Sequence, residues 1–580
     1  MNRQPDTSDQ GRIPFRLRIG VTGHRRLPDE EPLAEQVKQA LQRIRELVPS
    51  SPHTPVLFTV ISPLAEGADR LVAREVLRND GADLEVPLPL PREEYLRDFQ
   101  SDESKREFDA LLSQAREVTE LGPSESREKA YERVGHYVVD QCDVLIALWD
   151  GEPSRGQGGT AEIVEYARAS VEQREPINHP RRGLWNLVEH AHGFIRRCST
   201  FKRKPSSSDA QHSRVPLFWI STKGEHQLVE ELGDGINTMP LRQLDDYNRV
   251  TITQEDMEQQ IGEYRGQLLS AAQYSNAGAL PLQVISEWVS PFYVRADLLA
   301  MHYQNWYYIL SNASFLLAAG AVAAVAGQVL FAPGTPQLAG IEVGLMLILL
   351  AGVLVGRRCH FHDRWISYRF LAERFRSAFF LALAGLPGHR EASLERVSLG
   401  HSSEEWVRRA FGEVWSRRPH VDCQSSAQEL RQFLVEAWID DQGGFHESAH
   451  HKYKARDLRL SLGAVALFAA TLVAAALHAS GVVEDTSSGS LSWADLLVFL
   501  AITMPALGAA VGGIRGEREY LRNSERYEEM ARHLKGARKR MEGARDIEAV
   551  RTVAEEAENL MLEENRDWFI VMRPHEMRAP

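Results

Sequence analysis

The hydrophobic residues of this chain are concentrated in four long apolar runs in its second half. Each run has about the 20 mostly apolar residues that a helix needs to cross the hydrocarbon core of a bilayer. Polar turns join the first run to the second and the third to the fourth, so the runs are paired as two hairpins. We predict four transmembrane helices, at about residues 309–331, 338–355, 458–479 and 493–513.

Basic residues are distributed unevenly around these runs. The turns at 332–337 and 480–492 contain no Lys or Arg, whereas the opposite ends of the runs carry many. Because Lys and Arg favour the cytoplasmic side of a membrane, both hairpin tips are predicted to lie outside. We therefore expect a multi-pass protein of the plasma (inner) membrane with both termini in the cytoplasm. The basic residues at the inner ends are Arg357, Arg358, Arg364, Arg369, Lys452, Lys454, Arg456, Arg459, Arg515, Arg518 and Arg522.

The first part of the chain instead alternates short apolar runs with amphipathic segments. This alternation is typical of a parallel β-sheet flanked by helices, a Rossmann-like α/β fold. A helix is predicted over 30–47, where the apolar residues fall on one face. Further helices are predicted from about Glu66 and over 156–169. Strands are predicted at 16–23, 56–62, 84–90, 143–151 and 215–222.

These patterns divide the chain into seven segments. The α/β domain and the two hairpins account for most of its length, and the segments between them are polar and helical in pattern. The segments are a disordered N-terminus (1–15), the α/β domain (16–222, with a flexible insertion at 171–214), a helical linker (223–290), the first hairpin with its cytoplasmic helices (291–400), a cytoplasmic helical connector (401–456), the second hairpin with its cytoplasmic helix (457–545) and a C-terminal helical tail (546–580).

The overall composition excludes several classes of protein. A formal net charge of −13 argues against a nucleic-acid-binding protein, which usually carries a basic face. The four cysteines are widely spaced, which fits a reducing compartment and indicates neither a disulfide framework nor a zinc site. The first residues lack the apolar core of a signal peptide. Neither a metal nor a cofactor is predicted.

Small and polar residues follow the carboxyl ends of four predicted strands. In a parallel α/β sheet these ends meet at one edge, where glycine amides and helix N-termini face a bound anion. Thr22 is one such residue, and Arg92, Glu94 and Tyr95 follow the third strand. The candidate ligand-binding residues are Gly23, His24, Arg25, Ser62, Glu66, Gly67, Asp69, Arg70, Asp150, Gly158, Gly159, Thr160 and Glu162.

Each candidate also has a plain structural explanation, since a glycine can end a strand and a threonine can cap a helix. Their coincidence at four strand ends favours a binding site. In that site we expect phosphate to be bound by His24, Arg25 and Arg70, and by the amides of 158–160. The carboxylates that we expect to contact a sugar or base are Asp69, Asp150 and Glu162.

This domain resembles the SLOG superfamily, which includes the LOG-like phosphoribohydrolases and the DprA-type Rossmann proteins. The stretches that resemble it are VTGHR (21–25), SPLAEGADRLVA (62–73), LIALWDG (145–151) and GGTAEIVEYA (158–167). The resemblance implies nucleotide binding. The hydrolases carry a Pro-Gly-Gly loop, then Gly-Thr and two adjacent glutamates. Here Gly159, Thr160 and Glu162 match, but the Pro-Gly-Gly loop is absent and Ile163 replaces the second acid. Neither a Walker A loop nor a GxGxxG motif occurs.

The membrane half, about 290–541, resembles the SLATT domains, two-transmembrane effectors that accompany nucleotide-sensing modules in bacterial conflict systems. The resembling stretches are ADLLA (296–300), RWISYRFLAERFR (364–376), WIDDQGGFH (438–446) and SERYEEM (524–530). The resemblance implies a pore-forming or membrane-disrupting effector. An arginine followed by Glu-Arg recurs after each hairpin, at 369–374 and 522–526, which indicates duplication of one unit.

Three functions are compatible with these features. The first is a membrane effector of antiphage-type conflict that senses a nucleotide, spans the bilayer and acts as a homo-oligomer. The second is a membrane-anchored nucleoside-monophosphate N-glycosidase, in which Glu162 assists attack on the sugar and Arg70 positions the phosphate. The third, a small-solute transporter, is weakened because the spans lack paired charges. We favour the non-enzymatic sensor, because the hydrolase motif is incomplete.

Overall fold

The chain forms two compact units in the computed structural model. The α/β unit contains Arg12–Thr251 and Gly400–Ser416, and the helical unit contains most of the remainder. The predicted insertion at 171–214 lies outside the described residues except for Arg214. The structure describes residues 11–153, 158–169, 214–224, 226–233, 235–274, 281–335, 337, 339–386, 402–419, 426–481 and 492–572.

A seven-stranded sheet forms the centre of the α/β unit, in the order β4-β3-β2-β1-β5-β6-β7. Adjacent strands are parallel except β6 and β7, which are antiparallel. The five predicted strands are present, which confirms the α/β fold class. Patterning missed β4 and β7, because each is a four-residue edge strand with two charged residues. The bounds are β1 Phe15–Gly23, β2 Val56–Ile61, β3 Asp83–Leu88, β4 Glu117–Glu120, β5 Val144–Trp149, β6 Leu217–Ser221 and β7 Leu228–Glu231.

Helices cover both faces of this sheet. The first begins after Asp29, whose side chain accepts the N–H of Glu31, and ends at Leu47 as predicted. The central strand β5 is buried along its whole length, as expected for a strand covered on both faces. The helices are α1 Glu30–Leu47, α2 Ala68–Leu77, α3 Arg92–Tyr95, α4 Asp102–Leu112, α5 Arg127–Gln141, α6 Thr160–Arg168 and α7 Met239–Arg249.

The α/β unit extends beyond the boundaries expected from the sequence. Ile13, placed in the disordered terminus by sequence, is fully buried. Its backbone N–H donates to the side chain of Asn248, whose amide donates back to the Ile13 carbonyl. Strand β7 and helix α7 also belong to this unit, although residues 223–290 were predicted as a linker. A polar side chain thus satisfies the backbone of a segment that has no periodic pattern of its own.

Within the residues that the structure describes, the helical unit contains four helices that are long and apolar enough to cross a membrane, which are α9 (Leu282–Phe331), α10 (Ala339–Arg358), α14 (Asp440–Ala479) and α15 (Trp493–Arg518). They include the four predicted spans except residue 338, which lies outside the described residues, and large apolar side chains such as Leu347 and Leu472 are exposed on them. Helix α12 (Ser402–Ser416) belongs to the α/β unit. The bounds are α8 Gln254–Tyr274, α9 Leu282–Phe331, α10 Ala339–Arg358, α11 Phe361–Leu383, α12 Ser402–Ser416, α13 Ala427–Leu434, α14 Asp440–Ala479, α15 Trp493–Arg518, α16 Tyr520–Gly543 and α17 Ile547–Met572.

The two hairpins end alike. His360, the second of two residues between α10 and α11, has a left-handed backbone, and so does Glu519, the residue between α15 and α16. The recurring Arg and Glu-Arg residues are not in equivalent positions, however. Arg369 lies more than two turns beyond its break and pairs with Glu373 at 2.5 Å, whereas Arg522 lies in the first turn and pairs with Glu519 at 3.5 Å.

Helix α17 forms one ion pair with α11, which follows the first hairpin, and one with α16, which follows the second. Arg374 of α11 lies 3.6 Å from Glu558, and Arg526 of α16 lies 3.5 Å from Glu564. Arg374 and Glu558 are almost completely buried. The segment predicted as a C-terminal tail is therefore packed within the helical unit, where it pairs with an arginine of the helix that follows each hairpin.

Helix α12 packs on β1 and α7 within the α/β unit, although sequence analysis placed it in a cytoplasmic connector (401–456). Its apolar face is buried, with Trp406 against Tyr247 at a ring-centre distance of 5.7 Å. Arg409 donates two hydrogen bonds to the buried carboxylate of Asp143, at 2.8 and 2.5 Å. Glu413 accepts from Arg16 and Arg116 at 2.6 and 2.9 Å. An amphipathic pattern predicts that one face of a helix is buried, but it does not predict which segment covers that face. The connector predicted at 401–456 therefore included a helix that belongs to the α/β unit.

Candidate ligand-binding site

A cavity of about 760 Å³ lies at the carboxyl ends of β1 and β5. The strand order reverses between these two strands, since β2 lies on one side of β1 and β5 lies on the other. Ligands of open α/β sheets bind in the crevice that such a reversal creates. The volume falls within the range of roughly 300–1,000 Å³ that is typical of small-molecule sites.

The structure brings most of the predicted site residues together around this cavity. Thr22 and Tyr95 also line it, whereas Arg92 and Glu94 do not. The predicted residues that line the cavity are Gly23, His24, Arg25, Asp69, Asp150, Gly158, Gly159 and Thr160. The predicted residues outside the lining are Ser62, Glu66, Gly67, Arg70 and Glu162.

The loop after β1 lies against the start of α2 at two glycines. A Cβ on Gly23 would come within 2.4 Å of the Ala68 Cβ. Gly67 has a φ of +79°, and a Cβ there would lie 2.5 Å from the carbonyl oxygens of both His24 and Arg25. The Ala68 N–H also donates to the His24 carbonyl at 3.0 Å. Gly67 therefore acts on the site indirectly, by allowing the backbone of His24 and Arg25 to approach α2.

We expect Gly67→Ala to destabilise the α/β unit by about 1–3 kcal/mol and to weaken ligand binding. The physical reason is that alanine is strained at positive φ and its Cβ would collide with two backbone carbonyls. Hydrogen exchange of the 15–23 peptide in the full-length protein measures the local loss of stability. Gly81→Ala is the matched control, because φ is +71° there but the new Cβ would meet only the Leu57 side chain, at 3.2 Å. Equal losses of binding in the two variants would contradict this role for Gly67.

The N-terminus of α6 supplies backbone amides to the cavity. Residues 158–161 line it, and the first N–H groups of a helix have no partner within the helix. The helix dipole adds partial positive charge at the same end. The carboxylate of Glu162 turns back and accepts the N–H of Gly158 at 2.7 Å. Glu162 therefore orders the glycine turn, and the remaining amides are suited to an anion.

Cationic side chains lie on the same cavity. Arg25 and Arg26 are exposed, and the Arg25 guanidinium lies 5.1 Å from the centre of the Tyr131 ring. Among the described residues, no oxygen accepts a hydrogen bond from either guanidinium, and the buried Tyr131 hydroxyl has no hydrogen-bond partner. These groups can therefore bind ligand oxygens without breaking a hydrogen bond within the described part of the chain.

His24 and Asp150 contact each other in the cavity lining, directly after the carboxyl ends of β1 and β5. The His24 Nε2 lies 3.1 Å from both the backbone N and the Oδ1 of Asp150, and Lys223 Nζ lies 3.4 Å from Oδ2. Burial acts to raise the pKa of Asp150, but the Glu152 N–H, His24 and Lys223 together hold it below its usual value. Asp150 is therefore an ionised hydrogen-bond acceptor at neutral pH.

Asp69 is the buried carboxyl group of the cavity. It is 5% exposed and accepts the N–H of Ala65 at 3.2 Å. Burial raises the pKa of Asp69 to about 7, although the Ala65 N–H, Arg25, Ser62 and Arg70 all act to lower it. The group is consequently shared between its neutral and ionised forms near neutral pH, so it can donate or accept a hydrogen bond.

Arg70 lies behind the cavity lining. Its Nε donates to the Leu64 carbonyl at 3.1 Å, and its Nη1 donates to Ser104 and Glu107, each at 2.9 Å. The Ser104 hydroxyl donates in turn to Glu66. These bonds fix the turn after β2 against α4. Arg70 therefore supports the site from below, and the direct phosphate contact expected of it stays a prediction.

Several lining residues were missed by sequence analysis, among them Arg26, Lys223 and Tyr131. Arg26 directly follows a predicted residue, and Lys223 directly follows the last predicted strand, so the same strand-end argument could have included both. Tyr131 gave no such signal. It lies on α5, and only tertiary packing brings its ring to the end of β1.

No family model matches this chain, and no curated protein matches it. Within the part of the chain that the structure describes, no group of three or more His, Cys, Asp or Glu side chains is placed to hold a metal ion.

Proposed function

We propose that the α/β unit binds a nucleotide or nucleotide-derived messenger through its phosphate, and that binding controls the helical membrane unit. The observation that best supports this proposal is the composition of one cavity at the strand-order reversal. Arg25, Arg26 and the first-turn amides of α6 all line it. Guanidinium groups and helix N-termini are both preferred partners of phosphate oxygens.

The other lining groups suit a sugar and a base. Asp150 is an ionised acceptor that can receive hydrogen bonds from ribose hydroxyls. Asp69, with a pKa of about 7, can donate to or accept from a base edge. The Tyr131 hydroxyl offers a further donor and acceptor. A ligand that combines phosphate, sugar and base would use all of these groups.

The chain itself provides a covalent route from the site to the spans. Helix α12 belongs to the α/β unit, whereas α11 before it and α13 after it belong to the helical unit. In this proposal the protein exists in an inactive and an active state, and a ligand shifts the equilibrium between them only by its differential affinity for the two states. A hundredfold shift in population requires about 2.8 kcal/mol of differential affinity.

The effector activity that we propose follows from the resemblance to SLOG and SLATT domains. In that proposal the ligand-bound protein assembles into a homo-oligomer that permeabilises the inner membrane during bacterial conflict with phage. A single bundle of four packed spans leaves little room for a water path, so conduction is assigned to the oligomer.

Hydrolysis of a nucleoside monophosphate is the alternative activity, and it requires a carboxylate beside the sugar. Glu162, which matches the LOG-like motif, does not line the cavity, and its carboxylate already accepts the Gly158 N–H. This contact favours binding without hydrolysis. It also predicts that Glu162→Gln, which can still accept that N–H, keeps most of the binding affinity.

We expect Arg25→Gln and Arg26→Gln each to weaken nucleotide binding roughly tenfold, because each removes a charge-assisted hydrogen bond. Full-length protein in detergent is screened by thermal shift against nucleotides, including ADP-ribose derivatives and cyclic dinucleotides. The matched control is Arg92→Gln, an exposed arginine of the same unit that pairs with Asp109 and does not line the cavity.

Mass spectrometry of each mixture separates the two activities. Recovery of intact ligand supports a sensor, whereas recovery of free base and sugar phosphate that is lost in Glu162→Gln supports the hydrolase. If no nucleotide changes the unfolding temperature, or if Arg92→Gln weakens binding as much as Arg25→Gln and Arg26→Gln do, binding at this cavity is contradicted. The identified ligand is then added to protein in dye-loaded liposomes, where ligand-dependent release tests control of the membrane unit.

A further inference from the structure

A second cavity, of about 460 Å³, lies within the helical unit. Several lining residues adjoin the predicted spans at their arginine-rich ends. Tyr308 precedes the first span, Arg456 precedes the third and Arg518 follows the fourth. The cavity therefore lies at the level where three of the spans leave the bilayer. It shares no lining residue with the cavity at the ends of β1 and β5, which belongs to the α/β unit.

Two residues that line this cavity each have a buried nitrogen atom with no hydrogen-bond partner among the described residues. Arg518 is 7% exposed, and its Nη2 donates to the Tyr308 carbonyl at 3.3 Å and to Asn312 at 3.0 Å, but its Nη1 has no hydrogen bond. His446 is 6% exposed, and its Nδ1 likewise has no hydrogen bond. Buried polar groups are normally satisfied, so both atoms point to a ligand that supplies oxygen.

The charged residues that line the cavity are four arginines and three glutamates, so its formal charge is positive, which favours an anion; they are Arg369, Arg376, Arg456, Arg518, Glu373, Glu517 and Glu564. The carboxylate of Glu373 is already paired with Arg369 at 2.5 Å and with Arg376, and that of Glu517 accepts the Tyr307 hydroxyl. Arg456, by contrast, is exposed and forms no ion pair within the described part of the chain. Burial and the nearby Arg376 lower the pKa of His446 to about 4, so its imidazole is neutral at pH 7.

We propose that this cavity binds the headgroup of an anionic membrane lipid, with Arg518 and Arg456 as cationic ligands of its phosphate and His446 as a hydrogen-bond partner of another headgroup oxygen. A lipid headgroup and a soluble phosphate ester would offer the same phosphate oxygens. The position of the cavity beside the predicted spans favours the lipid. Ile309 and Leu458, next to the lining residues on α9 and α14, are 57% and 59% exposed. They offer an apolar surface for acyl chains directly beside the phosphate site, and tyrosines such as Tyr453 favour the headgroup level.

The test uses the full chain in nanodiscs of phosphatidylcholine with or without phosphatidylglycerol. Native mass spectrometry counts the retained phosphatidylglycerol, and thermal unfolding gives its apparent affinity. We expect Arg456→Gln and Arg518→Gln each to weaken this affinity roughly tenfold, as the loss of one charge-assisted contact should. Arg456 is exposed, so its variant folds even if the Arg518 variant does not.

The matched controls are Arg459→Gln and Arg522→Gln, which remove a charge from the same region without altering the cavity lining. Retention of lipid in the controls and its loss in both cavity variants supports the proposal. Equal retention by all variants overturns it. In a second arm, glycerol 3-phosphate and inorganic phosphate are added to pure phosphatidylcholine nanodiscs. Stabilisation by either one that depends on Arg456, with no preference for phosphatidylglycerol, overturns the lipid assignment in favour of a soluble phosphate.

Discussion

Replacing Arg409 with methionine is expected to destabilise the α/β unit by about 3–5 kcal/mol, because it leaves the buried Asp143 carboxylate without its cation. Asp143 is bonded by both Arg409 nitrogens and by the backbone N–H of Arg18 at 2.9 Å. Methionine keeps the length and packing of the side chain but provides no donor. Hydrogen exchange of the β1 and β5 peptides in the full-length protein measures the loss.

The pH dependence distinguishes this cause from a packing defect. Burial acts to raise the pKa of Asp143, but Arg409 holds it below its usual value. The pair therefore stabilises the fold above pH 4 or so, and this contribution is lost as the pH falls through the lowered pKa. In Arg409→Met the destabilisation should consequently be largest at neutral pH and should diminish near pH 4.

Arg408→Met is the control for this prediction. Arg408 is the adjacent residue on α12, and its nearest carboxylate, that of Glu405, lies 4.0 Å away. Burial and the like charges of Arg18 and Arg409 lower the pKa of Arg408 to about 10, so its charge is not favoured by its surroundings. Its replacement should cost little. Similar losses in the two variants, or a loss independent of pH, would show that the ion pair is not the cause.

The stability of Asp69→Asn relative to the natural protein is expected to increase between pH 4 and pH 8. In the folded protein the pKa of Asp69 is raised from 3.8 to about 7, so the folded state binds the proton more tightly than the unfolded state. The resulting stabilisation is fully present below about pH 4 and is lost as the pH rises to 7. Since one pKa unit corresponds to about 1.4 kcal/mol, this loss is at most about 4 kcal/mol.

Asparagine is an isosteric replacement that cannot ionise, and its side-chain oxygen can still accept the Ala65 N–H. Unfolding of the full-length protein in detergent, followed from pH 4 to pH 8, measures the difference between the two proteins. A difference that does not change with pH would contradict the raised pKa. Asp150→Asn is the control, since Asp150 has a lowered pKa and should show no such gain at high pH.

Local sequence was sufficient for the spans and for most of the sheet. Crossing a bilayer requires about 20 consecutive apolar residues, which is a property of each segment alone. Strands β2, β5 and β6 were predicted for a similar reason, because strands buried on both faces are almost continuously apolar. Strands β1 and β3 were predicted from shorter apolar stretches. The edge strands β4 and β7 have one or no covered face and carry charges, so no such pattern marks them.

The candidate site was predicted in part. Parallel strands bring their carboxyl ends to one edge, so the residues directly after β1 and β5 were expected together and line one cavity. The direction of individual side chains was not determined by this rule. Arg25 faces the cavity, whereas Arg70 is buried against Ser104 and Glu107. Both are arginines near a strand end, and only packing distinguishes them.

By itself, the sequence determined the four apolar spans, the alternation of strands and helices and the edge of the sheet where polar residues collect. Tertiary structure alone decided which distant segments complete each unit. Helix α12 joins the α/β unit through Arg409 and Asp143, and α17 joins the helical unit through Arg374 and Glu558. The physical reason is that hydrophobicity and turn chemistry are local, whereas a buried ion pair depends on two groups that meet only in the folded chain.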